Sequence, residues 1–109
     1  MPRAGLSRER VVEEAASVAD QVGFDRLTMA AVAERFGVAL PSLYKHVGGI
    51  DALRRDLAVH GMAVLADTLR DAAVGRVRGD ALTAVATAYR QFATDRPGLY
   101  AATVRAPAP

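Results

Sequence analysis

The chain has 109 residues, 14 Lys/Arg against 12 Asp/Glu, and no cysteine. That length suits one small domain or part of a larger one, and the absent cysteine excludes disulfides and thiolate zinc sites and fits a reducing, cytoplasmic setting. Residues 1–56 carry eight basic and eight acidic side chains, and residues 57–109 carry six and four, so total charge gives no case for nucleic-acid binding; such a case must rest on where charges sit.

No apolar run approaches the roughly 20 residues that span a bilayer. The opening MPRAGLSRERVVEE lacks the apolar stretch of a secretory signal, so no membrane partner is expected. The hydrophobic content is mostly alanine, valine and leucine, without tryptophan. Such a core predicts an all-α fold, because alanine is the strongest helix former.

Ser7 is a good N-cap for a first helix, with Glu9 near the positive end of its dipole. Val11, Ala15, Val18 and Val22 then recur at helical spacing, with Val12 and Ala19 beside them, and Gly23 provides the stop. Thr28 can cap a short second helix whose Met29, Val32, Ala33 and Phe36 share a face, and Gly37 ends it. Pro41 suits the first turn of a third helix, which Gly48-Gly49 closes. A longer helix runs from Asp51 to about Val74 with Leu53, Leu57, Val64, Leu65 and Leu69 along it. VGRVRGD is a short connection, after which Asp80 is expected to cap a helix with Leu82, Val85, Tyr89 and Phe92 on one side. Pro97-Gly98 interrupts it, and LYAATVR can begin a further short helix.

The segment GVALPSLYKHV, residues 37–47, carries the functional reading. A helix-turn-helix needs a small residue in its first helix, glycine in the turn, and apolar residues that pin the second helix onto the first. Val32, Ala33, Phe36, Gly37, Val38 and Leu43 meet these needs at compatible spacings, although two short helices of any bundle would share much of the pattern. The second helix of such a unit reads bases near its N-terminus. With Leu43 inward, Ser42, Tyr44, Lys45 and His46 fall largely on other faces. Ser42 can reach a phosphate or a base edge, Lys45 a phosphate or guanine, and Tyr44 and His46 can donate to phosphate oxygens. The competing roles are a buried tyrosine and a histidine that caps its helix.

From RVVEEAASVADQVGFDRLTMAAVAERFGVALPSLYKHVGGIDALRRDLA onward the chain resembles the DNA-binding domain of TetR-type transcriptional regulators. Gly23, Phe24, Leu27, Thr28, Val32, Ala33, Gly37, Val38, Leu43, Tyr44, His46, Asp51 and Leu53 match that pattern in order, over about half the chain. AYRQFATDRPGLY resembles the start of the ligand-binding region in one subgroup. The resemblance implies a three-helix DNA-binding domain over residues 5–65, with its motif at 28–47, and the start of a helical regulatory bundle over residues 66–109, expected to be incomplete. It implies an effector-responsive repressor that binds a palindromic double-stranded operator as a homodimer, through C-terminal helices that would lie past Pro109.

The resemblance also implies that Thr28 caps the second helix and touches phosphate, that Ala39, Leu40, Pro41 and Ser42 open the recognition helix, and that Tyr44 and His46 bind the backbone. Two departures stand out. The usually polar position after Val38 is Ala39, followed by Leu40, so reading there would be apolar. Ile50 stands where the family often has lysine, and Arg3, Arg8 or Arg54 are the candidates to replace it. Met62, Leu65, Leu69, Tyr89 and Phe92 are candidates to line an effector pocket, against the alternative of ordinary core packing.

An enzyme is not expected. His46 and His60, the only histidines, fall on different predicted helices, and there is no His-Glu-x-x-His, no Gly-x-Ser-x-Gly and no phosphate-cradling glycine loop. No cofactor or metal is expected. The remaining alternative is a helical interaction module that kept the motif and lost DNA binding.

Overall fold

The computed structural model describes residues 5–105, which form an all-α fold. The helices are α1 (Arg8–Val22), α2 (Met29–Phe36), α3 (Leu40–Tyr44), α4 (Ile50–Ala73), α5 (Arg78–Asp95) and α6 (Pro97–Arg105), with one 3-10 turn at Phe24–Arg26 between α1 and α2. The described residues contain no strand.

Local chemistry sets the ends of α1 and α2. The Ser7 hydroxyl accepts from the Arg10 N–H at 3.2 Å and starts α1. Gly23, at φ 101°, ends it while donating its N–H to the Ala19 carbonyl. α1 buries Val11, Val12, Ala15, Ala16, Val18 and Ala19, a face wide enough to meet several neighbours. Val22 does not join it: its side of the last turn faces solvent, although its spacing predicted burial.

α4 is the long strut of the fold, about 36 Å at 1.5 Å per residue. Leu53, Leu57, Gly61 and Leu65 recur every four residues as its buried stripe, and the expected domain boundary at residues 65 and 66 falls inside this unbroken helix. Val64 and Leu69 are half-buried against the core. α5 folds back along α4, and α6 packs against both α4 and α1.

α5 departs from its expected pattern. Asp80 is not its cap: the helix begins at Arg78, after an uncapped Val77, and Asp80 lies in the first turn with its N–H donated to the Val77 carbonyl. Arg78 has φ 46°, an uncommon conformation for a residue with a Cβ. Of the predicted apolar face only Phe92 is buried. Val85 is half-buried, and Leu82 and Tyr89 are exposed at 72% and 41%.

The junction of α1 and α6 is made by backbone contact. A Cβ placed on Gly98 would lie 2.1 Å from the Ala19 carbonyl carbon, so only glycine fits. The Asp20 carboxylate accepts from the N–H groups of Gly98 at 2.9 Å and Leu99 at 3.0 Å, and from the Arg96 guanidinium. α6 has no capping side chain of its own in Arg96, so Asp20 caps it from 78 residues away. A similar approach occurs at Gly61, where a Cβ would come within 2.8 Å of the Thr103 methyl.

Two stability outcomes follow from this junction. Asp20→Ala leaves two helix N–H groups and a guanidinium without their acceptor and is expected to cost about 1–3 kcal/mol in urea unfolding. Asp20→Asn, which keeps one acceptor oxygen, is expected to cost less. Equal stability of Asp20→Ala and the parent would show that the carboxylate does not hold α6.

Candidate nucleic-acid interface

α2 and α3 are joined by a turn that the sequence encodes residue by residue. The Thr28 hydroxyl accepts from the Ala31 N–H at 3.1 Å, so Thr28 caps α2 as expected. At the other end Gly37 takes the left-handed conformation, φ 69° and ψ 31°. Its N–H goes to the Glu34 carbonyl, and the Val38 N–H reaches back to the Ala33 carbonyl at 3.1 Å. These are the crossed bonds of a glycine-terminated helix, and they satisfy carbonyls that the last turn would leave open.

α3 then starts at Leu40, with Ala39 as N-cap and Pro41 in the first turn. It is shorter than the sequence suggested. It ends at Tyr44, and the chain turns through Lys45 and His46, well before Gly48-Gly49. The N–H groups of His46 and Val47 both donate to the Leu43 carbonyl, at 2.9 and 3.1 Å. His46 therefore closes this turn through its backbone.

Leu43 is fully buried, and Val47 is 5% exposed. With Val32 and Ala33 of α2 they belong to one core cluster. α3 packs chiefly on α2, which leaves its opposite face open. On that face lie Leu40 and Tyr44, four residues apart, and Pro41 and Lys45, also four apart, all exposed. Tyr44 is 50% exposed, which excludes a buried tyrosine. Ala39 is exposed, whereas Ser42 and His46 are half-buried.

Two of the three arginines proposed to assist have other partners. Arg8 donates from Nε to the Asp56 carboxylate at 2.9 Å, joining the start of α1 to α4, and this hydrogen bond raises its pKa above the ordinary value. Arg54 lies over the Phe24 ring, 5.6 Å from its centroid, with Asp51 3.9 Å away. Arg3 falls outside the described residues. Sequence reasoning passed over Arg35, which pairs with Glu14 at 2.7 Å and donates to Gln21 at 3.0 Å, clamping α2 onto α1. Lys45, the chain's one lysine, has no ion pair among the described residues.

The five candidate effector residues are dispersed. Leu65 and Phe92 are core residues, Leu69 packs half-buried against that core, and Met62 is 56% exposed. Tyr89 meets Tyr100 edge-on and lines a groove along α5 with Leu82, Val85 and Arg90. No group of three or more metal-ligating side chains occurs among the described residues.

Two helices crossing through a left-handed glycine turn, the second with a buried leucine and an open outer face, make a helix-turn-helix. Residues 11–57, from α1 into α4, match the family described as bacterial regulatory proteins, tetR family. Over these residues the chain carries a TetR-type DNA-binding domain. It is 40% identical over 101 residues to the uncharacterised HTH-type transcriptional regulator YobS of Bacillus subtilis (strain 168), covering 93% of this chain and 53% of that protein. It is also 40% identical over 104 residues to the uncharacterised HTH-type transcriptional regulator Rv0681 of Mycobacterium tuberculosis (strain ATCC 25618 / H37Rv), covering 95% and 48%. The crystal structure of SCO4313 superposes with a TM-score of 0.68 at 30% identity, over 94% of this chain and 49% of that one. The chain thus spans about half the length of these relatives.

The geometry makes Ala33 a test of the helix crossing. It is 4% exposed, and its carbonyl receives the turn bond from Val38. Ala33→Leu is expected to overpack the site and cost about 1–3 kcal/mol. Thermal unfolding of the variant checks this, and an unchanged melting temperature would place the crossing elsewhere.

Proposed function

We propose that the chain is a sequence-specific DNA-binding transcriptional regulator, an effector-responsive repressor, whose α3 enters the major groove of double-stranded DNA. The observation that carries this reading is the outward face of α3. Leu43 anchors the helix from behind, and Leu40, Pro41, Tyr44 and Lys45 stand free in front. A short helix with a buried back and an unpaired cation at its end is built to lie against a polyanion.

In this reading residues 5–65 bind DNA and residues 66–109 open a regulatory bundle. Thr28 sits beside the DNA backbone, and Tyr44, Lys45 and His46 orient α3 on it, while the residues from Ala39 to Ser42 meet base edges. Arg8 is a weaker candidate for phosphate because Asp56 already holds it. The effector, a small molecule, acts on the part built from α4, α5 and α6.

One five-residue helix covers too little of a groove to select a site in a genome. Two copies related by a twofold axis, with their recognition helices about 34–36 Å apart, would solve this and select a palindromic operator. The intact regulator accordingly acts as a homodimer, which size-exclusion chromatography with light scattering reads directly.

Lys45 supplies the sharpest test. Lys45→Ala is expected to weaken binding to all duplexes alike and to lower the slope of log K against log salt by about one, as for a single phosphate contact. Mobility-shift titrations at several salt concentrations measure it. An unchanged slope with altered sequence preference would make Lys45 a guanine reader. No salt-dependent shift with any duplex would favour a protein-interaction module that has lost DNA binding.

A further inference from the structure

The leading end of α3 carries no hydrogen-bonding side chain on its open face. Ala39, Leu40 and Pro41 follow one another there, all exposed. Ser42, the first polar side chain, is half-buried, and Tyr44 and Lys45 come a turn later. Leu40 is 37% exposed and lies outside the core cluster, so core packing does not account for it. Pro41 also lacks an N–H that could reach a base or a phosphate.

Bases are ordinarily told apart in the major groove by bidentate hydrogen bonds, from arginine or lysine to guanine and from asparagine or glutamine to adenine. None of those side chains stands at positions 39–42. The groove offers an apolar side chain one distinctive partner, the 5-methyl group of thymine. We propose that Leu40, flanked by Ala39 and Pro41, reads thymine methyl groups, so that thymines specify the operator where α3 begins. Tyr44 and Lys45 hold the helix on the backbone one turn behind. The proposal rests on the DNA-binding reading and names the feature of DNA that this surface recognises.

The test begins with selection of binding duplexes from a random library by the chain fused at its C-terminus to a dimeric coiled coil, so that two copies meet the duplex together. Each thymine of the selected site is then replaced by deoxyuridine, which removes the methyl group and leaves every hydrogen-bonding atom in place. One or two thymines per half-site should each raise Kd about fourfold when replaced, the worth of one buried carbon. In Leu40→Ala that sensitivity should largely vanish, whereas Tyr44→Phe should retain it. Circular dichroism of the variants, altered only at exposed positions, should match the parent. Tight binding that ignores every deoxyuridine, or an equal penalty in Leu40→Ala, overturns methyl reading and leaves DNA binding intact. Failure to enrich or shift any duplex overturns both.

Discussion

The fold depends on the close approach of α6 to the end of α1. At Gly98 and Ala19 the two backbones come nearer than a Cβ permits, and the polar groups trapped by that approach need partners because water cannot reach them freely. Asp20 provides these partners by accepting from two N–H groups and a guanidinium at once. α1 thereby becomes a shared element, packed against α2, α4 and α6. Its alanines follow from this position. Ala15, Ala16 and Ala19 have zero exposure, and larger side chains there would push away one neighbour or another.

α3 inherits its freedom from the same arrangement. It packs chiefly on α2 and is held in place by two apolar anchors, Leu43 and Val47. Arg35 stiffens that support by tying α2 to Glu14 and Gln21 of α1. A recognition surface gains from such a mounting: the side chains that face outward are relieved of structural duty, and the supporting residues lie where a groove cannot touch them.

What the sequence made legible was local. Ser7 and Thr28 cap the helices they precede, and Gly23 and Gly37 take the positive φ that stops a helix. Each is decided within about four residues. Leu43 was legible too, because the turn fixes its register. Asp20 was not, since nothing near it in sequence shows that α6 will arrive 78 residues later. Nor was the exposure of Leu82 and Val22: periodicity reports that a helix has an apolar side, not whether anything covers it. Asp80 failed as a cap because the helix starts two residues earlier, at Arg78 in an unusual conformation. On the candidate interface the exposure of Tyr44 and Lys45 was foreseen, while Ser42 and His46, expected outward with them, are half-buried, and the occupation of Arg8 by Asp56 required the fold.

The arginines explain why net charge was uninformative. Arg8, Arg35, Arg96 and Arg105 all pair with carboxylates on other elements, so these four of the 14 basic side chains tie parts of the fold to one another. Cations held in such pairs contribute less to the sequence-independent pull of a polyanion than free ones do. Discrimination must then depend more on fit at the groove floor, where contacts distinguish one base from another. Lys45 stands unpaired just behind an apolar leading end on α3. On the proposed reading that order separates two tasks along one short helix: the charge fixes where the helix sits, and the apolar end decides which bases it accepts.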